Sequence, residues 1–147
     1  YAALLQRYGL IGKRFLEQIT APPQKPLRES LAELLRLILT GLRHGVLDIH
    51  AVGLAVGMRD RVVGPAYLHA ILEPTLQSVE TRLALHVQRG ELRPCDLRIA
   101  ALSLISPLLL AAIHQHGLCG QDVRPLSLDA LCDDLLVHFL RAYGPDV

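Results

Sequence analysis

The chain has 147 residues, 51% of them hydrophobic, and its 15 Lys and Arg stand against 14 Asp and Glu. That length suits one domain with a core of its own, and the even charge, with no basic block, argues against these residues forming a nucleic-acid surface. Mean hydropathy is +0.33, high for a soluble monomer, yet no stretch approaches the ~18 uninterrupted apolar residues of a membrane span, so no membrane partner is expected.

Helical periodicity organises the chain into six segments. The first runs from about Tyr1 to Ile19, with Tyr1, Leu4, Leu5, Tyr8, Ile11, Phe15 and Ile19 on one face in the i, i+3, i+4 pattern. No capping residue stands ahead of it and Tyr1 is not an initiator Met, so the sequence reads as the continuation of a preceding segment. Ala21-Pro22-Pro23-Gln24-Lys25 breaks this helix, since prolines in tandem remove the backbone donors it needs. A second helix opens near Pro26 and runs to about His44, with Leu27, Leu31, Leu34, Leu35, Ile38 and Leu42 inward and Gly45 as its stop. A third, about Leu47 to Met58, carries Gly53 and Gly57, a spacing that fits close helix packing better than room for a ligand. Gly64-Pro65 opens a fourth that ends at Arg89 ahead of Gly90, and Pro74 inside it should kink it.

The fifth segment, Asp96 to Ile113, carries the most information. Asp96 is its cap, and Ile99, Leu102, Ile105 and Leu109 fall on different sides when successive residues turn by ~100°. A helix apolar on every side must be covered on every side. Pro107 should kink this one too. After a loop from Leu118 to Leu126, Ser127 caps a sixth helix, Leu128 to Tyr143, which Gly144 ends. No alternating strand pattern and no internal repeat is present. The expected fold is all-α, a bundle of about six helices whose last two are covered partly by a second copy of the chain.

Motifs that carry chemistry are missing: there is no Gly-rich phosphate loop, nucleophile elbow, His-Glu-x-x-His or CxxC, so no enzyme activity and no cofactor are expected. Asp133 and Asp134 are adjacent, point apart and read as a solvated edge. His114, His116 and Cys119 are close in sequence, but helical positions i and i+2 diverge by ~200° and zinc wants three or four converging ligands. Histidines opposing the dipole at a helix C-terminus are the simpler reading, and no metal site is expected. His50, His69 and His86 lie on or near apolar faces; each is either a core histidine satisfied by its neighbours or a polar contact in a cavity. Such a cavity is one consequence of prolines that separate packed helices. Three cysteines without framework spacing (Cys95, Cys119, Cys132) and no signal peptide point to reduced thiols in the cytoplasm. Lysine occurs only at Lys13 and Lys25, and the Arg, Ala and Leu bias suits a GC-rich bacterial genome.

The run Gln88-Arg89-Gly90-Glu91-Leu92-Arg93-Pro94-Cys95-Asp96, leading into Leu97 to Ile113 with a mid-helix Pro107, resembles the C-terminal domain of TetR/AcrR-type transcriptional regulators. Tyr1-Ala-Ala-Leu-Leu is similar to the start of the helix that follows that family's DNA-binding module, and Pro65 matches a proline often found ahead of its next long helix. The likeness extends over nearly the whole chain. It implies a bacterial one-component regulator, usually a repressor, that leaves operator DNA when a small, largely apolar molecule enters the bundle. Residues 1–147 would then be the ligand-sensing and dimerisation domain, with the helix-turn-helix wholly absent from this sequence.

On that reading a cavity between the first five helices is lined by Tyr8, Phe15, Ile38, Leu42, Met58 and Leu72, with His50, His69 or Ser103 as polar contacts. The last two helices form a homodimer interface through Leu102, Leu109, Ile113, Leu128, Cys132, Leu135 and Phe139. A dimer reads two half-sites ~34–36 Å apart, so a small pivot of the connecting helix would spoil the register. The alternative is a stand-alone helical interaction or carrier module that binds an apolar ligand or partner without DNA.

Overall fold

The structure, a computed structural model, describes residues 13–145. Tyr8, Leu4 and the rest of the first twelve positions lie outside the described residues. All regular structure among those described is helical. Residues 13–20 form α1, followed by α2 (Leu27–Gly41), a wide π-type turn (Leu42–Val46) and α3 (Leu47–Gly57). Next come α4 (Val63–Tyr67), a second π-type turn (Leu68–Leu72) and α5 (Glu73–Gln88), which together make one long helical run. The chain then forms α6 (Leu97–Ala112), a third π-type turn (Ile113–Gly117), a short 3-10 turn (Gly120–Asp122) and α7 (Leu128–Tyr143).

The stripe read on α2 is the core of the bundle. Leu31, Leu34 and Leu35 are fully buried against Val79 and Leu83 of α5, Ala100, Leu104 and Leu108 of α6, and Leu136 and Phe139 of α7. A fully buried leucine of this kind stabilises by roughly 1.5–3 kcal/mol relative to exposure, which is why periodicity alone located these helices. Arg98 ties α6 to α5 through Glu73 at 2.7 Å and Glu80 at 3.4 Å, and Arg43 reaches Asp129 of α7 at 3.0 Å.

The helix ends follow local chemistry. Asp96 accepts the Ile99 N–H at 3.1 Å and Ser127 accepts the Ala130 N–H at 3.2 Å, each occupying one donor that a first turn leaves open. Asp60 opens α4 earlier than Gly64-Pro65 suggests, accepting the N–H groups of Val62 and Val63. α2 has no cap of its own; Glu91, from the loop after α5, reaches across to accept the Leu27 N–H at 2.9 Å. At Gly45 helical dihedrals break, with φ of 102°, but the chain enters α3 at once instead of leaving through a loop. Pro74 falls in the first turn of α5, directly after a π-type turn, so its missing N–H coincides with a register already widened. α6 continues through Pro107 to Ala112.

The small residues on α3 do serve close packing, since a Cβ on Gly57 would stand 3.1 Å from the Gly64 Cα. By length and composition the runs Leu27–Gly57 and Leu97–Gly117 could each cross a membrane, with mean hydropathy 1.2 and 1.8. In this bundle the first supplies Leu31, Leu34 and Leu35 to the core and the second supplies Ala100, Leu104 and Leu108.

Among the described residues, one face of α6 stays exposed. Ile99 is 57% exposed, Leu102 41% and Leu110 68%, whereas an isolated surface helix normally turns polar residues outward. Of the residues expected to meet a second copy, Leu102 is on this face, and Leu109, Ile113 and, on α7, Leu135 are half-buried. Leu128, Cys132 and Phe139 are buried inside the subunit.

Candidate functional site

An apolar cavity of about 280 Å³ lies where the first two π-type turns face α1. α1 contributes Lys13, Phe15, Leu16 and Ile19; α2 and its turn contribute Leu37, Ile38, Gly41, Leu42 and Val46. Ile49 and His50 from α3, and Ala70, Ile71 and Thr75 from the α4–α5 run, complete the described wall. Regular helices packed side by side would close this space. Here the bend at His44 and Gly45 and the wide turn at Leu68–Leu72 hold the helices apart locally, as interruptions of the helical ladder do.

The wall is mostly hydrocarbon, with Lys13, His50 and Thr75 as its side chains that carry polar atoms. Thr75 spends its hydroxyl on the Ile71 carbonyl at 2.9 Å. Lys13 is exposed. His50 is different: it is only 5% exposed, and its Nδ1 lies 2.6 Å from the Tyr67 hydroxyl. Burial without a neighbouring charge pushes its pKa down from 6.5 to about 4, because a dry site disfavours the imidazolium. Its ring stands edge-on to Tyr67, at 5.8 Å between centroids and 86° between planes.

Tyr67 in turn lies against Gly53, where an added Cβ would sit 2.2 Å from the Tyr67 Cδ2. No side chain larger than hydrogen fits there without moving the tyrosine. Gly53 thereby seats Tyr67, and Tyr67 holds the Nδ1 edge of the His50 ring.

Phe15, Ile38, Leu42 and His50, all expected to line a cavity, are brought together. Met58 is 79% exposed beyond the end of α3, His69 is exposed, and Leu72, the last residue of the second π-type turn, is half-buried next to the lining Ile71. Ser103 sits on the outer face of α6 and donates to the Ile99 carbonyl at 2.8 Å. Tyr8 lies outside the described residues. Ile49 and Ile71 escaped sequence reading because each comes after a break in helical phase; no periodic signal marks them.

A second polar site holds the end of α1. Arg82 of α5 is 3% exposed and donates to the Ile19 carbonyl at 3.2 Å, and to the Ser30 carbonyl and hydroxyl. The Ile19 carbonyl is one of the acceptors that a helix C-terminus leaves open, and a cation there also suits the dipole. Thr20 pairs with Ser78 at 2.9 Å, and Arg89 donates to the Pro23 carbonyl at 2.8 Å. His86, one of the three ambiguous histidines, is a satisfied core residue: its Nε2 meets the Ser30 hydroxyl at 2.8 Å and its Nδ1 meets Glu91 at 3.1 Å. That His86 contact, with the Leu27 N–H, holds the Glu91 carboxyl below its usual range. At the far end of α6, His114 contacts Gln115 and His116 contacts Gln121. Among the described residues no three His, Cys, Asp or Glu side chains are placed to hold a metal ion.

The fold, a helical bundle in which α1 forms one wall of an apolar cavity, is shared with a solved structure. A crystal structure described as a TetR-family transcriptional regulator from Mesorhizobium loti superposes with a TM-score of 0.72 over 97% of this chain and 70% of its own, at 19% identity. The chain belongs to the family of AefR-like transcriptional repressor C-terminal domains, whose sequence model matches residues 25–145. It is therefore a domain of a non-enzymatic regulatory family. No curated protein matches it.

Proposed function

We propose that this chain is the ligand-sensing and dimerisation domain of a cytoplasmic, bacterial TetR-type repressor, released from operator DNA by a small, largely apolar molecule. The observation that carries this reading is the cavity itself: about 280 Å³, lined mainly by apolar side chains, with α1 as one wall. Ile19 is the link. Its side chain lines the cavity, while its carbonyl is held by Arg82. An occupant that presses on Phe15 and Leu16 therefore works against a helix fixed at its C-terminal end. A ligand shifts such an equilibrium only through unequal affinity for the two arrangements, and displacement of α1 supplies that inequality.

The uncovered α6 face supports a homodimer formed through the last two helices. Operator contact in this reading belongs to a helix-turn-helix module outside these 147 residues, and no membrane is involved. Thermal unfolding in the presence of ethylbenzene or naphthalene tests the sensing half. Binding to the folded state alone stabilises by about 2.7 kcal/mol at a hundredfold excess over Kd. The midpoint should rise for the natural chain and stay fixed for Ile38→Trp, which fills the cavity. A midpoint that moves for neither, or equally for both, contradicts the reading.

A further inference from the structure

Within that cavity the polar atoms are distributed unevenly enough to specify what it selects. The described wall contains no carboxylate, so an ammonium ligand would enter without a counter-charge, at a prohibitive desolvation cost. His50 is the one deeply buried polar side chain among the described lining residues. Its Nδ1 is taken by Tyr67, and no hydrogen bond within the described residues engages its Nε2. The arrangement behind it is built rather than incidental: Gly53 admits the Tyr67 ring, Tyr67 is itself 3% exposed, and its hydroxyl fixes the His50 ring. A hydrogen-bonding group immobilised from behind in an apolar wall is what gives a small-molecule site its orientation and specificity.

We propose that His50 is the recognition group of this cavity, selecting an uncharged apolar molecule that carries one hydroxyl or carbonyl oxygen, with Tyr67 as the residue that positions it. The cavity of about 280 Å³, at roughly 30 Å³ for each water's share of liquid volume, accommodates about nine non-hydrogen atoms. That is the size of a monocyclic phenol or a short fatty alcohol or ketone. The inference rests on the sensing reading above and goes beyond it by naming the ligand's chemistry.

Calorimetric titration of the natural chain with 4-ethylphenol, ethylbenzene and protonated 2-phenylethylamine tests it, since the three share a shape and differ in the polar group. The phenol should bind about tenfold more tightly than the hydrocarbon, the upper range of one net hydrogen bond, and the ammonium at least tenfold more weakly than either. His50→Phe should bind ethylbenzene undiminished and lose the phenol's advantage. Tyr67→Phe keeps the ring in its Gly53 seat and should cut that advantage to about threefold, by releasing the imidazole without removing it. Should His50→Phe fail to fold by circular dichroism, Tyr67→Phe decides.

Affinities of phenol and hydrocarbon within twofold in the natural chain, or the full advantage retained in either folded variant, overturn the assignment while leaving the cavity a binding site. No binding of any of the three to the natural chain removes both the sensing reading and this inference.

Discussion

Burial of a neutral imidazole makes the stability of the fold depend on acidity in a calculable way. His50 has a folded-state pKa of about 4 against 6.5 for the free side chain. Above 6.5 neither state binds the proton and His50 contributes its full stability. As pH falls below 6.5 the unfolded chain takes up a proton that the folded chain refuses until about 4, so the folded state loses ground throughout that window. Each tenfold difference in proton affinity between the two states corresponds to ~1.36 kcal/mol, which puts the loss between about pH 7.5 and pH 5 near 2 kcal/mol, and near 3 kcal/mol below pH 4. Urea unfolding tracked by circular dichroism, at one fixed protein concentration, would measure it as a difference between the natural chain and His50→Phe. The natural chain should become less stable relative to the variant by about 2 kcal/mol over that interval. Parallel curves for the two proteins would refute the reasoning, because they would mean that His50 is solvated or meets a carboxylate when folded.

Packing and capping give three more expectations. Gly53→Ala gains up to ~1 kcal/mol of helix propensity but drives a methyl into the Tyr67 ring, and should be net destabilised by about 1–2 kcal/mol in the same unfolding assay; an unchanged midpoint would mean that Tyr67 is not seated there. Asp96→Ala and Ser127→Ala should each cost about 1 kcal/mol, and together about 2 because the caps share no partner; a double variant no worse than either single one would contradict this. Leu110→Glu, at a position 68% exposed, should change subunit stability by less than about 0.5 kcal/mol yet convert a dimer to a monomer in sedimentation equilibrium. A dimer that survives this change would place the interface elsewhere.

Much of the fold was legible in the sequence because it depends on neighbours in sequence. Leu27, Leu31, Leu34 and Leu35 repeat at helical spacing and are buried together; Asp96 and Ser127 cap the helices they precede. Features that depend on distant segments were not legible. Glu91 caps α2 from 64 residues away, and no pattern near Leu27 announces it. The cavity divides along the same line. Ile38 and Leu42 belong to an unbroken stripe and reach the wall, whereas Met58 lies past Gly57, His69 and Leu72 lie inside a π-type turn, and Ser103 lies on the outer face of α6. Each interruption rotates the residues beyond it, so the face assigned to them by periodicity is lost. The apolar surround of α6 was readable as a demand for cover, but only packing reveals that Leu128, Cys132 and Phe139 meet it from within, leaving Ile99, Leu102 and Leu110 bare.

Sensing requires that a small apolar molecule occupy the space between α1, the bend after α2 and the turn before α5. Isoleucine methyl resonances sample that space directly, since Ile19, Ile38, Ile49 and Ile71 line the cavity whereas Ile99, Ile105 and Ile113 belong to α6 and its end. Titrating 4-ethylphenol into the methyl-labelled chain should shift the first four and leave the other three in place. Shifts confined to Ile99 and Ile113, with the cavity methyls unmoved, would show that the molecule binds the outer face of α6 and that the cavity is not the sensing site.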